Sequence, residues 1–368
     1  MILKKYKNNL RPLFTVLALI TTLLWSGANT ASAQAQRGIL YDFTGSGRTS
    51  FVTLRSPAST GGPITWTIAS NPQSATPGQA LIREFVFGND QLDFVVPEDY
   101  TGTTRAEPTV WRDSNGVFFV AQTPVGTGGV TVERAVQWGA PDDFPRAIGD
   151  YDGDGKTDYT VVRTVGTNFI WFIMSSSTGT MRAIRFGSSA GLPLPEDGGF
   201  TFFPGADFNN DGRDELIFAT TNDEQNRVTY FIGDAVTGAG LITRDFGIFA
   251  SDITLPPDDY TGDGRADFVT VRENDLTATS NDRPATWFIL NVATNTFTST
   301  PFGIADRAFR NHDRPVRGDY DGDRRHDVAV FRPSNQTFYW INSSNGSIGS
   351  QRMPTTGVGV ALAALDNY

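Results

Sequence analysis

Short runs of β-branched and aromatic residues punctuate the chain, each bounded by glycine, aspartate or asparagine. In "FVTVR", Phe268 to Arg272, the apolar residues Phe268, Val269 and Val271 fall on both alternating faces, which predicts a strand packed between two neighbouring sheets. "YTVVR", after Asp158, reads the same way. A second strand carrying an aromatic follows, at Trp66, Phe118, Trp171, Tyr230, Trp287 and Tyr339 in successive units, and a third ends in an aromatic-glycine pair. Those pairs are Phe87-Gly88, Trp138-Gly139, Phe186-Gly187, Phe246-Gly247 and Phe302-Gly303. A fourth, short run such as "RPVRG", Arg314 to Gly318, leads into the next polar loop. The aromatic series is expected in the core between sheets, not as a sugar-stacking platform. Arg55, Arg112, Arg163, Arg272 and Arg332 end the first strand in five units, and are expected to pair with a carboxylate or a backbone carbonyl.

The polar loops repeat as well. "YDFTGSGRTSFVTLR", "EDYTGTTRAEPTVWR", "GDYDGDGKTDYTVVR", "ADFNNDGRDELIFAT", "DDYTGDGRADFVTVR" and "GDYDGDRRHDVAVFR" place their first aspartates at Asp42, Asp99, Asp150, Asp207, Asp259 and Asp319. The unit is therefore about 55 residues long and occurs six times. Four strands in each of six units predict an all-β fold, a β-propeller of four-stranded blades, with six blades and seven as the alternative count. The chain ends in "GVGVALAALDNY", which is similar to the strand leading into a loop, so the C-terminal strand is expected to complete the first blade and close the ring.

Like charge concentrated in a short loop needs a counter-ion. In the third loop, Asp150, Asp152, Asp154 and Asp158 hold the first, third, fifth and ninth places, and Lys156 at the seventh offers only its carbonyl, an all-oxygen set that suits Ca2+. An EF-hand would place a glutamate at the twelfth place, where this loop has Val161, and a strand follows instead of a helix. The sixth loop repeats the set with Asp319, Asp321, Asp323, Arg325 and Asp327, although Arg324 stands where a glycine is expected. The fourth, with Asp207, Asn209, Asp211, Arg213 and Glu215, and the fifth, with Asp259, Thr261, Asp263, Arg265 and Asp267, keep three carboxylates and are expected to bind more weakly. Asp99 and Glu107 with Thr101 and Thr103 make the second loop a weaker Ca2+ candidate, and the first, with Asp42, Thr44, Ser46 and Ser50, is expected to be a metal-free hairpin.

The units "PVRGDYDGDRRHDVAVFRPSNQTFYWINSS" and "AIGDYDGDGKTDYTVVR" resemble the FG-GAP or VCBS repeats of secreted bacterial proteins, with integrin α-subunit propellers as distant members. The resemblance covers roughly residues 38 to 368. It implies a propeller with Ca2+ in hairpin loops but no single activity, since the scaffold serves adhesion, sugar binding and domain spacing.

Composition narrows the context. Lys4, Lys5, Lys7 and Arg11 precede an apolar run from Leu13 to Trp25 and the small residues Ala31 to Ala33, the pattern of a signal peptide over residues 1–33, too short to be a membrane anchor. Residues 34–368 are then one propeller domain, secreted or periplasmic, without a membrane anchor, with 26 basic against 40 acidic residues and a net charge near −14. No basic patch favours nucleic acid. With no cysteine, stability outside the cell must come from packing and ions. The only histidines, His312 and His326, stand in no nucleophile or zinc arrangement, so the expectation is a monomeric, non-catalytic module for a glycan or a cell-surface protein.

Overall fold

The computed structural model describes residues 37–56, 62–71, 82–123, 130–190, 199–222, 224–272, 283–305, 312–354 and 359–362. The proposed signal peptide, residues 1–33, lies outside them. The described residues contain no α-helix and fold into six antiparallel sheets.

Blade one holds β1 (Phe51–Arg55), β2 (Pro63–Ala69) and β3 (Ile82–Asn89). Blade two holds β4 (Asp93–Val95), β5 (Thr109–Arg112), β6 (Val117–Gln122) and β7 (Thr131–Gln137). In blade three, β8 (Tyr159–Val165), β9 (Asn168–Met174) and β10 (Met181–Ser188) form the sheet, and an isolated bridge from Phe144 to Val162 takes the inner place. Blade four consists of β11 (Phe200–Ala206), β12 (Glu215–Asn222), β13 (Arg227–Gly233) and β14 (Gly240–Asp245). Blade five consists of β15 (Asp252–Thr254), β16 (Phe268–Arg272), β17 (Arg283–Asn291) and β18 (Thr296–Ala305). Blade six consists of β19 (Arg314–Val316), β20 (Val328–Arg332), β21 (Thr337–Ile341) and β22 (Ile348–Arg352). The last strand, β23 (Val360–Ala361), pairs antiparallel with β1, Ala361 opposite Thr53 and Val360 opposite Leu54. The chain's end thus completes its first blade, as the C-terminal sequence predicts.

Apolar clusters bridge every pair of neighbours. Trp66 and Phe51 share a core with Val110 of blade two and with Tyr320 and Phe338 of blade six. Trp111 joins Val161, Trp171 joins Phe218, Tyr230 joins Phe268, and Trp287 joins Val330. The ring is therefore closed by packing as well as by strand pairing, and six blades is the observed count. Trp66, Phe118, Trp171, Tyr230 and Trp287 are fully buried, as their alternation predicts. Blade six departs from that series: Phe338 is the buried aromatic, and Tyr339 is half-buried on the other face. Phe338 pairs with Phe331, the residue before Arg332, just as Phe118 pairs with Trp111 before Arg112 and Trp171 with Val162 before Arg163, so the expected Tyr339 is one residue out of place and lies on the opposite face.

The arginine series resolves into a repeated clip. Arg112, Arg163, Arg272 and Arg332 each donate two hydrogen bonds, 2.6–3.0 Å long, to Asp93, Asp143, Asp252 and Asp313, buried carboxylates at or beside the inner strand. Each guanidinium also lies over a ring, Phe119, Phe172, Phe288 or Tyr339, at 4.6–5.1 Å. The same carboxylates accept the N–H of the residue after the aromatic-glycine pair, at Asn89, Ala140, Ile248 and Ile304, each 2.8 Å away. Glycine is required there: Gly139 and Gly247, for instance, have φ of 112° and 114°. In blade one Arg55 lies 3.7 Å from Glu84.

Candidate metal centres

All six polar loops share one frame. The first aspartate turns its carboxylate inward to accept backbone N–H groups of its own loop. Asp150 takes those of Gly153, Asp154 and Gly155 at 2.8–3.1 Å, and Asp42 takes those of Thr44, Ser46 and Gly47 at 2.7–3.1 Å. The ninth-place oxygen accepts the N–H of the second residue: Asp158 from Tyr151, Glu215 from Phe208, Asp267 from Tyr260 and Asp327 from Tyr320, at 2.7–3.0 Å. At the seventh place, the N–H groups of Lys156, Arg213, Arg265 and Arg325 bond the fifth-place aspartates Asp154, Asp211, Asp263 and Asp323 at 2.9–3.0 Å.

The loops are also tied to one another in a belt that the sequence does not reveal. The eighth residue of each loop donates its N–H to the carbonyl of the first aspartate of the loop before. Ala106 bonds Asp42, Thr157 bonds Asp99, Asp214 bonds Asp150, Ala266 bonds Asp207, His326 bonds Asp259, and Thr49 returns to Asp319, all at 2.7–3.0 Å. The belt is unbroken around the ring, so a change in one loop's backbone is felt by its neighbours.

The two loops richest in carboxylate are those where ligand atoms converge. Oxygens of Asp150, Asp152 and Asp154 lie within 4.8 Å of one another, and so do those of Asp319, Asp321 and Asp327. Asp158 stands outside the first group, accepting the Ser176 N–H at 2.6 Å, while Asp323 leaves the second because Arg325 Nε, at 3.0 Å, and Ser343 Oγ, at 2.9 Å, hold it. The seventh-place side chains are thus not idle, as the carbonyl-only expectation has it: Lys156 Nζ sits 3.1 Å from Asp154. A serine-bearing turn covers each of these loops. Ser176 Oγ bonds Asp154 at 2.9 Å, Ser177 Oγ bonds Asp152 at 2.7 Å, and Ser344 Oγ bonds Asp321 at 2.6 Å. In blade five, Asn291 reaches Thr261 and Asp263 in the same way, at 2.7 and 2.8 Å. Repetition of Ser or Asn at the start of this turn is the one sequence signal that could have found these caps.

The donor chemistry fits a hard cation. Burial, with the nearby Asp214 charge, pushes Asp150 up to about 7, and burial with the Asp152 and Asp150 charges pushes Asp158 to about 7. Burial likewise raises Asp327 to about 7, Asp319 to about 6, Asp267 to about 7 and Glu215 to about 8. Each shift means that the negative form lacks enough positive potential around it. In the fourth and fifth loops, Asn209 Oδ1 and Asp267 Oδ1 are buried without a hydrogen-bond partner. Ca2+ bound in a loop would be held by the carboxylates at its first, third, fifth and ninth places, or by their neutral replacements Asn209 and Thr261, and would supply the charge these oxygens lack. The first loop differs, because the Thr44 and Ser46 hydroxyls already surround Asp42 at 3.3 and 3.4 Å. In the second loop, Thr101 and Thr103 hydroxyls lie at 2.6 and 3.3 Å from Glu107, yet burial with the Asp99 charge still pushes it up to about 7.

No family model matches the chain, and no curated protein matches it. Among solved structures it is similar to a lectin from Agrocybe aegerita that recognises non-reducing terminal N-acetylglucosamine, at 16% identity over 85% of this chain and 80% of that one, with a TM-score of 0.41. Hydrazine synthase of Kuenenia stuttgartiensis matches at 11% identity over 78% and 92%, with a TM-score of 0.37. The WD40 domain of SCAP from fission yeast matches at 9% over 80% and 74%, with a TM-score of 0.31. None of the three is close enough to carry a ligand or an activity over.

Proposed function

We propose that this chain is a secreted, calcium-braced β-propeller that acts as a non-catalytic binding or adhesion module for a carbohydrate or a cell-surface ligand. The observation that carries the reading is the belt of six hydrogen-bonded loops, four of which combine three or more carboxylates with at least one that is buried and lacks a counter-charge. Ions at such loops fix the belt's shape, and a rigid surface rich in carboxylate, hydroxyl and guanidinium groups suits recognition of a hydroxylated ligand. For a dissociation constant of ~0.1 mM and ~1 mM free Ca2+, each site stabilises the fold by roughly 1.4 kcal/mol. Four sites then contribute about 5–6 kcal/mol, comparable to the net stability of a whole domain. A chelator is expected to lower the melting temperature, and Asp154→Ala to shrink that response; identical melts with and without chelator contradict the calcium brace. The test of function is binding of residues 34–368 to a glycan and polysaccharide array, in Ca2+ and in chelator. Selective, calcium-dependent signal supports the module. Silence from the folded protein turns the reading to a scaffold with a protein partner.

A further inference from the structure

Between blades one and two a cleft of about 680 Å3 opens on the loop side. Its counterpart between blades three and four is spanned by an arginine. Arg182, four residues before the pair Phe186-Gly187, donates to the carbonyls of Ala235 and Tyr151 at 3.2 and 3.3 Å, joining the turn of the next blade to its own loop. Arg83 holds the same place before Phe87-Gly88, yet its Nε is buried with no hydrogen-bond partner. It faces the cleft together with Arg105 of the second loop and Arg134 of β7. Among the described residues neither the half-buried Arg83 nor the exposed Arg105 forms an ion pair, which leaves both guanidinium groups open to a ligand.

We infer that this slot binds an acidic sugar unit. The inference rests on the binding-module reading and names the ligand class and the place. Three guanidinium groups can receive a carboxylate or sulfate, and Arg is suited to either because its donors form a planar fork. A site for a bare anion would exclude acidic side chains, but Glu107 and Glu133 also line the slot. Beside Thr101, Thr103, Gln122 and Thr123 they offer acceptors for ligand O–H groups, so the lining matches a molecule with one negative charge and several hydroxyls. The volume lies within the ~300–1,000 Å3 typical of small-molecule sites. The second loop's departures from the acidic pattern, Thr101 and Thr103, fall in this lining, so a loop that keeps carboxylates only at its first and ninth places borders the slot.

The experiment is calorimetric titration of residues 34–368, in Ca2+, with a galacturonic acid trisaccharide, a sulfated galactose trisaccharide and the neutral galactose trisaccharide. At least one acidic probe is expected to bind about tenfold or more tightly than the neutral one, and to weaken as salt rises. The pair Arg83→Met with Arg105→Met should lose that advantage, while Arg182→Met, in the closed counterpart, should keep it. Hydrogen exchange on the unmodified protein, which holds even should the variants misfold, should show protection of residues 101–107 by the acidic probe. Equal binding of acidic and neutral probes, no binding of either acidic probe, or protection confined to other blades overturns the slot. Neutral-glycan binding by the unmodified protein with no preference for either acidic probe overturns the slot alone and leaves the module reading standing.

Discussion

At Arg324 the backbone has φ of 71°, a left-handed conformation that the equivalent Gly155 and Gly264 adopt without a Cβ clash. The turn tolerates it because the Arg324 N–H bonds Asp319 at 2.7 Å, the same bond that Gly155 makes to Asp150. A left-handed non-glycine residue costs roughly 1–2 kcal/mol, and glycine returns about 0.5–1 kcal/mol of that as unfolded-state entropy. Arg324→Gly is therefore expected to stabilise the fold by about 0.5–1 kcal/mol in denaturant titration; a loss of stability would mean that the side chain holds something the backbone argument omits.

Within a blade, the unit that recurs is the clip of arginine, buried aspartate and aromatic-glycine turn. It joins the inner strand, the strand after the loop and the turn at the end of the outer strand of the preceding blade in a single set of hydrogen bonds, and it lies at the strand ends away from the acidic loops. Asp143 has three donors, two from Arg163 and one from Ala140, and is buried. Asp143→Ala strands all three and is expected to cost about 2–4 kcal/mol in urea unfolding. Asp143→Asn, which keeps an acceptor, should cost less. An alanine variant within about 0.5 kcal/mol of the parent would show the clip to be ornamental.

Across the whole molecule, closure and charge act together. Deleting residues 357–368 removes β23, exposes the inner edge of β1 and should produce aggregation or a large fall in melting temperature; a truncated protein that melts with the parent would refute closure by this strand. The loop carboxylates set the pH response. Asp150, Asp158, Asp267 and Asp327 have folded values raised from 3.8 to about 7, so without metal the folded state binds more protons than the unfolded state between those limits. Their contribution is present below about pH 4 and is lost as pH rises through about 7. In chelator the melting temperature should thus fall by several degrees from pH 5 to pH 7.5. In saturating Ca2+, which binds the deprotonated form, the fall should vanish or reverse. A chelated protein more stable at pH 7.5 than at pH 5 would contradict the charge frustration of the loops.

Strand number, blade number, ring closure and the loops richest in ligands were legible in the residues alone, because alternation, turn chemistry and carboxylate spacing are local and act within about ten residues of chain. Repetition then made a single local pattern into an architecture. The partners of the arginines, the serine caps over the third and sixth loops and the open slot at Arg83 were decided only by the tertiary structure. Each depends on which segments the sheets bring together, down to the bond between Thr49 Oγ1 and the Asp319 N–H, 270 residues apart in the chain. Local propensity carries no information about contacts at that separation; the closed geometry of the ring does.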